Sequence, residues 1–119
     1  MQNLIYMNKE FPDQPVESDY GNKEYKWKIL PETPDLMDFK CHKLASQMIY
    51  RIFEGNGKAI YIIGILDNGT PIGLNEFEIY KTINMLKEIT NIIKCNIDVM
   101  RIYNKDNKFI ITTRLSKNV

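Results

Sequence analysis

From Ala59 to Leu66 the chain runs through AIYIIGIL, a nearly unbroken apolar stretch rich in β-branched residues. That pattern predicts a strand covered on both faces. Asp67 follows, then Asn68-Gly69, which reads as a two-residue turn with positive φ at both positions, and Thr70 to Leu74 reads as a short return strand. Upstream, Lys23 to Leu30 alternates, with Tyr25, Trp27 and Ile29 on one side and Glu24, Lys26 and Lys28 on the other. This is the pattern of a half-exposed edge strand whose charged face discourages further pairing. Pro31 and Pro34 break the chain, and Leu36, Phe39, Leu44, Ala45, Met48, Ile49, Ile52 and Phe53 then recur at helical spacing up to a capping Gly55. Asn75 with Glu78 has capping-box spacing and opens a second helix with a stripe of Tyr80, Ile83, Leu86, Ile89, Thr90 and Ile93. Ile97 to Tyr103 and Lys108 to Leu115 form two further strands joined through Asn104 to Asn107, decorated by Arg101, Lys105, Lys108 and Arg114.

The expected order is thus β-α-β-β-α-β-β, an α+β fold with a small mixed sheet and two packed helices. Trp27, Met48, Tyr61, Ile63, Leu86 and Ile110 are expected in its core. Residues 1–18 carry no period and read as a loose N-terminal arm, residues 19–116 as one domain, and residues 117–119 as a tail.

Length and charge narrow the functional classes. At 119 residues the chain suits one domain with a real core. Sixteen basic and 15 acidic residues leave a net charge of +1, so a nucleic acid must be met by a local patch rather than a global field. No apolar run approaches the ~20 residues that span a bilayer, and no export signal precedes the fold, so the expectation is a cytoplasmic protein without a membrane partner. Cys41 and Cys95 lack metal-ligand spacing and read as reduced thiols, and His42 as a solvated helix residue.

Two kinds of chemistry remain open. Asp19, Glu24 and Lys26 form an acid-x4-acid-x-Lys series, and Asp67 leaves the central strand. Carboxylates of Asp19, Glu24 and Asp67 converging from two strands would hold Mg²⁺ or Mn²⁺ for phosphodiester cleavage, with Lys26 steadying the developing charge. Alternatively, Asp67 only shapes its turn, and the charges fill solvated faces. Lys26, Lys28, Arg51 and Arg101 would equally grip an RNA backbone without cutting it. The GNGK at residues 55–58 precedes a strand and lacks the rest of a phosphate loop, so it is not a nucleotide site.

The run QMIYRIFEGNGKAIYIIGILDNGTPIGL, with GNKEYKWKI upstream, resembles the N-terminal module of GTP-binding proteins 1 and 2, translation-factor-class GTPases related to elongation factors Tu and 1-alpha. The likeness covers most of residues 19 to 115. It implies a module that precedes a GTPase domain, which would begin about where Lys117, Asn118 and Val119 lie. A more distant likeness, in the E-x-K strand and the IG-x-x-D strand end, is to the AlbA-type domain of schlafen proteins. In its nuclease members the resemblance implies three metal-binding carboxylates, here Asp19, Glu24 and Asp67 with Lys26 beside them and Glu17 competing for the first place, and a second lobe such as a second copy of the chain. The expected function is a non-catalytic module that binds RNA or the ribosome and itself lacks the GTPase domain. The alternative is a metal-dependent endoribonuclease acting on tRNA or rRNA.

Overall fold

The structure, a computed structural model, describes residues 3–118. Met1 and Gln2 of the expected arm and Val119 of the expected tail lie outside them. Strands β1 (Leu4–Tyr6), β2 (Lys23–Lys26), β3 (Lys58–Ile63), β4 (Cys95–Lys105) and β5 (Lys108–Lys117) build a five-stranded sheet in the order β1-β4-β5-β3-β2. The outer pairs β1–β4 and β2–β3 are parallel, and the inner pairs β4–β5 and β3–β5 are antiparallel. Helix α1 (Met37–Glu54), entered through a 3-10 turn at Pro34–Leu36, and helix α2 (Glu76–Ile93) pack together on one face. This is the α+β arrangement of mixed sheet and two helices that the patterning predicts.

The strand period of two sorts the side chains between two cores. Ala59, Tyr61 and Ile63 of β3 meet Met48 of α1, Leu86 of α2 and Met100 and Ile111 of the hairpin in the main, helix-side core. The alternate residue Ile62 joins Tyr25, Ile65, Tyr103 and Ile110 in a smaller cluster on the opposite face, with Met7 and Phe11 of the N-terminal segment packed against it. Both faces of β3 are therefore covered, as its continuous apolar run requires.

Several local expectations change. The N-terminal segment is not wholly loose, because Leu4–Tyr6 adds an edge strand beside Met100 to Ile102. β2 stops at Lys26, so the alternation expected through Leu30 breaks there. Trp27 is 45% exposed instead of buried, while Tyr25 and Ile29 do enter the core. Phe39, Ile49 and Phe53 of α1 and Tyr80 of α2 face outward, since each helix buries only the stripe that meets the sheet and its partner. Thr70 to Leu74 forms no strand and contributes only the isolated bridges Ile65↔Pro71 and Leu74↔Phe109.

The turn chemistry also moves. Around Asp67, the Gly69 N–H donates to the Leu66 carbonyl, the Leu66 N–H to the Thr70 carbonyl and the Thr70 N–H to Asn68 Oδ1, and Gly69 alone of the loop residues has positive φ, at 91°. This is a three-residue loop closed by a left-handed glycine. The two-residue turn with positive φ at both positions is Asp106-Asn107, at 52° and 63°, which joins β4 to β5. At the end of α1, Gly55 has φ −96° and Asn56 takes the left-handed position at φ 53°. The Asn56 N–H donates to the Phe53 carbonyl and the Gly57 N–H to the Ile52 carbonyl, the paired bonds of a Schellman motif. Gly64, with φ 109°, passes so close to β5 that an added Cβ would sit 3.0 Å from the Phe109 carbonyl oxygen.

Candidate functional site

Glu24 lies on the helix-side face of β2, where α1 crosses, and is 5% exposed. Arg51 Nε donates to its Oε2 at 2.6 Å and Gln47 Nε2 to its Oε1 at 2.9 Å. Gln47 in turn accepts from the Tyr61 hydroxyl at 3.4 Å. The guanidinium of Arg51, also 5% exposed, reaches on to the carbonyls of Gly21 at 2.9 Å and Ser18 at 3.1 Å. One buried charge pair thus ties α1 to β2 and to the loop that leads into it. Buried charges persist only when paired and hydrogen-bonded, and both conditions are met here.

That arrangement sets the roles of the sequence candidates. Arg51 is committed to Glu24 and to two carbonyls, so it positions the chain and presents no cation to a surface ligand. Lys26 stands 3.6 Å from Glu24 Oε1 at the rim of the same pair. Lys28 pairs with Glu78 of α2 at 2.8 Å and lies over the Trp27 ring. The Asn75 backbone N–H and Lys28 hold the Glu78 carboxyl below its ordinary pKa. Asp19 and Asp67 are both exposed.

Glu17 is the acid that the fold draws toward Glu24 and Asp67. Its backbone N–H donates to the Asp67 carbonyl at 2.7 Å, and its carboxylate accepts from the Tyr25 N–H on the open edge of β2. Burial raises its pKa, with the charges of Glu24 and Asp67 adding to the shift and the Tyr25 N–H and Arg51 opposing it. Among the described residues, no group of three or more His, Cys, Asp or Glu side chains is placed to hold a metal ion. Asp19, Glu24 and Asp67 are not brought together as a ligand set, and Glu24 would have to leave its buried pair to serve one. Cys41 is buried and Cys95 half-buried, and burial pushes the Cys95 thiol up to about 11.

Arg101 belongs to the opposite, open face of the sheet. It alternates with Met100 and Ile102 of the main core and shares a side with Tyr103 of the smaller cluster. Its cross-strand partner on β5 is Thr112, and Arg114 lies one step along, opposite Val99 and Ile60. The two arginines are diagonal neighbours, at a backbone spacing of about 7–8 Å. Lys58, two residues before Ile60, and Lys23, paired with Ile60 from β2, extend the same face. Among the described residues, none of Lys23, Lys58, Arg101 and Arg114 has a salt-bridge partner. Asp98 beside them accepts from the Ser116 hydroxyl at 2.8 Å. The sequence reading names only Arg101 of this set as a contact residue. The parity that unites Lys58, Ile60 and Ile62 with Arg114 was available, but the β2–β3–β5–β4 neighbourhood was not.

Fold and surface together define a small α+β module with helices on one sheet face and, on the other, cations unpaired among the described residues. Over 90 residues, 76% of this chain, it is 34% identical to GTP-binding protein 2 of Mus musculus and of Homo sapiens. Over 98 residues, 82% of the chain, it is 35% identical to an uncharacterized protein of Acanthamoeba polyphaga mimivirus. The match spans 14% of each GTP-binding protein 2 and 50% of the viral protein. No family model matches the chain. It is therefore related to one region of GTP-binding protein 2, and the schlafen likeness gains no support from these relatives.

Proposed function

We propose that the chain is an accessory binding module of a translational GTPase-like protein and contacts RNA, free or within the ribosome, through the open face of its sheet. The observation that carries this reading is the set of cations at Lys23, Lys58, Arg101 and Arg114, held in one register and unpaired among the described residues. Cations without local partners are free to replace the counterions of a phosphate backbone, the main source of affinity in nucleic-acid binding. The relation to part of GTP-binding protein 2 supports a GTP-binding-protein context, and the translational setting is what the sequence resemblance implies. The module's part in the reading is adhesion, with no chemical step.

Titrating a single-stranded RNA at several salt concentrations between about 50 and 200 mM tests it. Affinity is expected to fall steeply with salt, and Arg101→Ala with Arg114→Ala to lower the slope of log K against log salt by about 1.4, the share of two phosphate contacts to a single strand. A slope unchanged by the double substitution, or no binding to either RNA or ribosomes in co-sedimentation, overturns the reading.

A further inference from the structure

The other half of the open face is covered by the chain itself. Between Met7 and Glu17 the N-terminal segment crosses the sheet without regular structure. The Met7 N–H donates to the Ile102 carbonyl at 2.8 Å and the Glu17 N–H to the Asp67 carbonyl at 2.7 Å, whereas among the described residues no backbone–backbone bond involves residues 8 to 16. What holds the middle is side chains. Phe11 meets Tyr103 edge to face, with ring centroids 5.2 Å apart and planes at 78°, and Glu10 pairs with Lys105 at 3.4 Å. Beside the ring pair opens a cleft of about 380 Å³ lined by Phe11, Tyr103, Ile110, Lys105 and Lys108. Its size is that of a small-molecule site.

An aromatic ring that follows the carboxylate of Glu10 and meets a tyrosine edge to face, on the sheet side of arginines unpaired among the described residues, covers the tyrosine where a base between phosphates could sit. We propose that Tyr103 is a stacking platform for a base of single-stranded RNA, and that Phe11 occupies it in the free protein as part of an acidic strap which the RNA displaces. The proposal rests on the RNA-binding reading above and names its ligand class and its regulation. Tyr103 and Arg101 share one side of β4, so a base on the ring would lie on the sheet face that carries Arg101 and Arg114. Stacking is indifferent to base identity, because every base offers a π-face. Releasing the strap breaks no sheet ladder, since residues 8 to 16 contribute nothing to it. Lifting Glu10 also frees Lys105 for the backbone.

The test uses the full chain and an oligouridine dodecamer. Phe11→Ala is expected to tighten binding about five-fold, the scale of one base–aromatic stack no longer opposed, and adding Tyr103→Leu to remove that gain. In the wild-type protein, saturation with the oligomer is expected to move the Phe11 ring resonances to solvent-exposed positions. This second readout needs no variant to fold. RNA that binds equally well to wild type and Phe11→Ala, with the Phe11 ring unmoved, overturns the strap and the platform while the arginine reading stands. Loss of all RNA binding removes both. Tightening by Phe11→Ala that survives Tyr103→Leu overturns the platform.

Discussion

Arg51 spends its guanidinium entirely inside the protein, on Glu24 and on the carbonyls of Ser18 and Gly21. Removing either partner of such a pair leaves an uncompensated buried charge, which is costlier than never having had the pair. Glu24→Ala is therefore expected to cost about 3–5 kcal/mol in urea denaturation, and Glu24→Leu combined with Arg51→Met to recover most of that loss. A cost below about 1 kcal/mol for Glu24→Ala would mean that the pair does not hold the fold. The sequence showed an acid and a lysine alternating on a strand, and solvated charge or metal ligation were its natural readings. What decides Glu24's role is a guanidinium 27 positions away on α1, and no local pattern carries that information. Glu17 was visible only as a rival to Asp19. Its place follows from bonds to Asp67 and to the edge of β2, both made by tertiary contact.

Elements with strong local chemistry were legible and those made by distant pairing were not. The Asn75 capping box forms as spelled, with Asn75 Oδ1 accepting from the Glu78 N–H at 2.7 Å and Glu78 Oε1 from the Asn75 N–H at 3.0 Å. Glu78 also receives Lys28 from the chain after β2, so one carboxylate both starts α2 and docks it. Glu78→Ala should cost about 1 kcal/mol at neutral pH, the scale of a lost cap. Its folded pKa lies below the ordinary value of 4.5, so its stabilisation is full above that value and is lost as pH falls through the folded pKa. The difference between wild type and Glu78→Ala should accordingly close in acid, as thermal melts at neutral and low pH can check, and a gap that widens in acid contradicts this assignment. Strand β1 was missed because three residues show no period and their partner lies beyond residue 99. Asn68-Gly69 and Asp106-Asn107 offer similar turn chemistry, and the long β4–β5 ladder selects the second for two positive φ values because its strands must twist together.

At the scale of the whole molecule, the sheet has two unlike faces. One face is closed by α1 and α2. The other is shared between the strap over Tyr103 and the cations from Lys23 to Arg101. The relation to GTP-binding protein 2 covers 14% of that protein, and the cation-bearing side of this two-sided plan is the one the RNA-binding proposal uses. The fold class could be read from periodicity, since two helices and a buried central strand leave few ways to close a small core. The cation set of the open face could not, because its residues come from four strands whose order in space differs from their order in the chain. Backbone amide shifts recorded while a single-stranded RNA is added test this division most directly. The expected changes fall on Arg101, Thr112, Arg114, Lys58 and the strap around Phe11, and leave the outer faces of α1 and α2 unmoved. Changes confined to those helices, with the sheet face silent, would contradict the account.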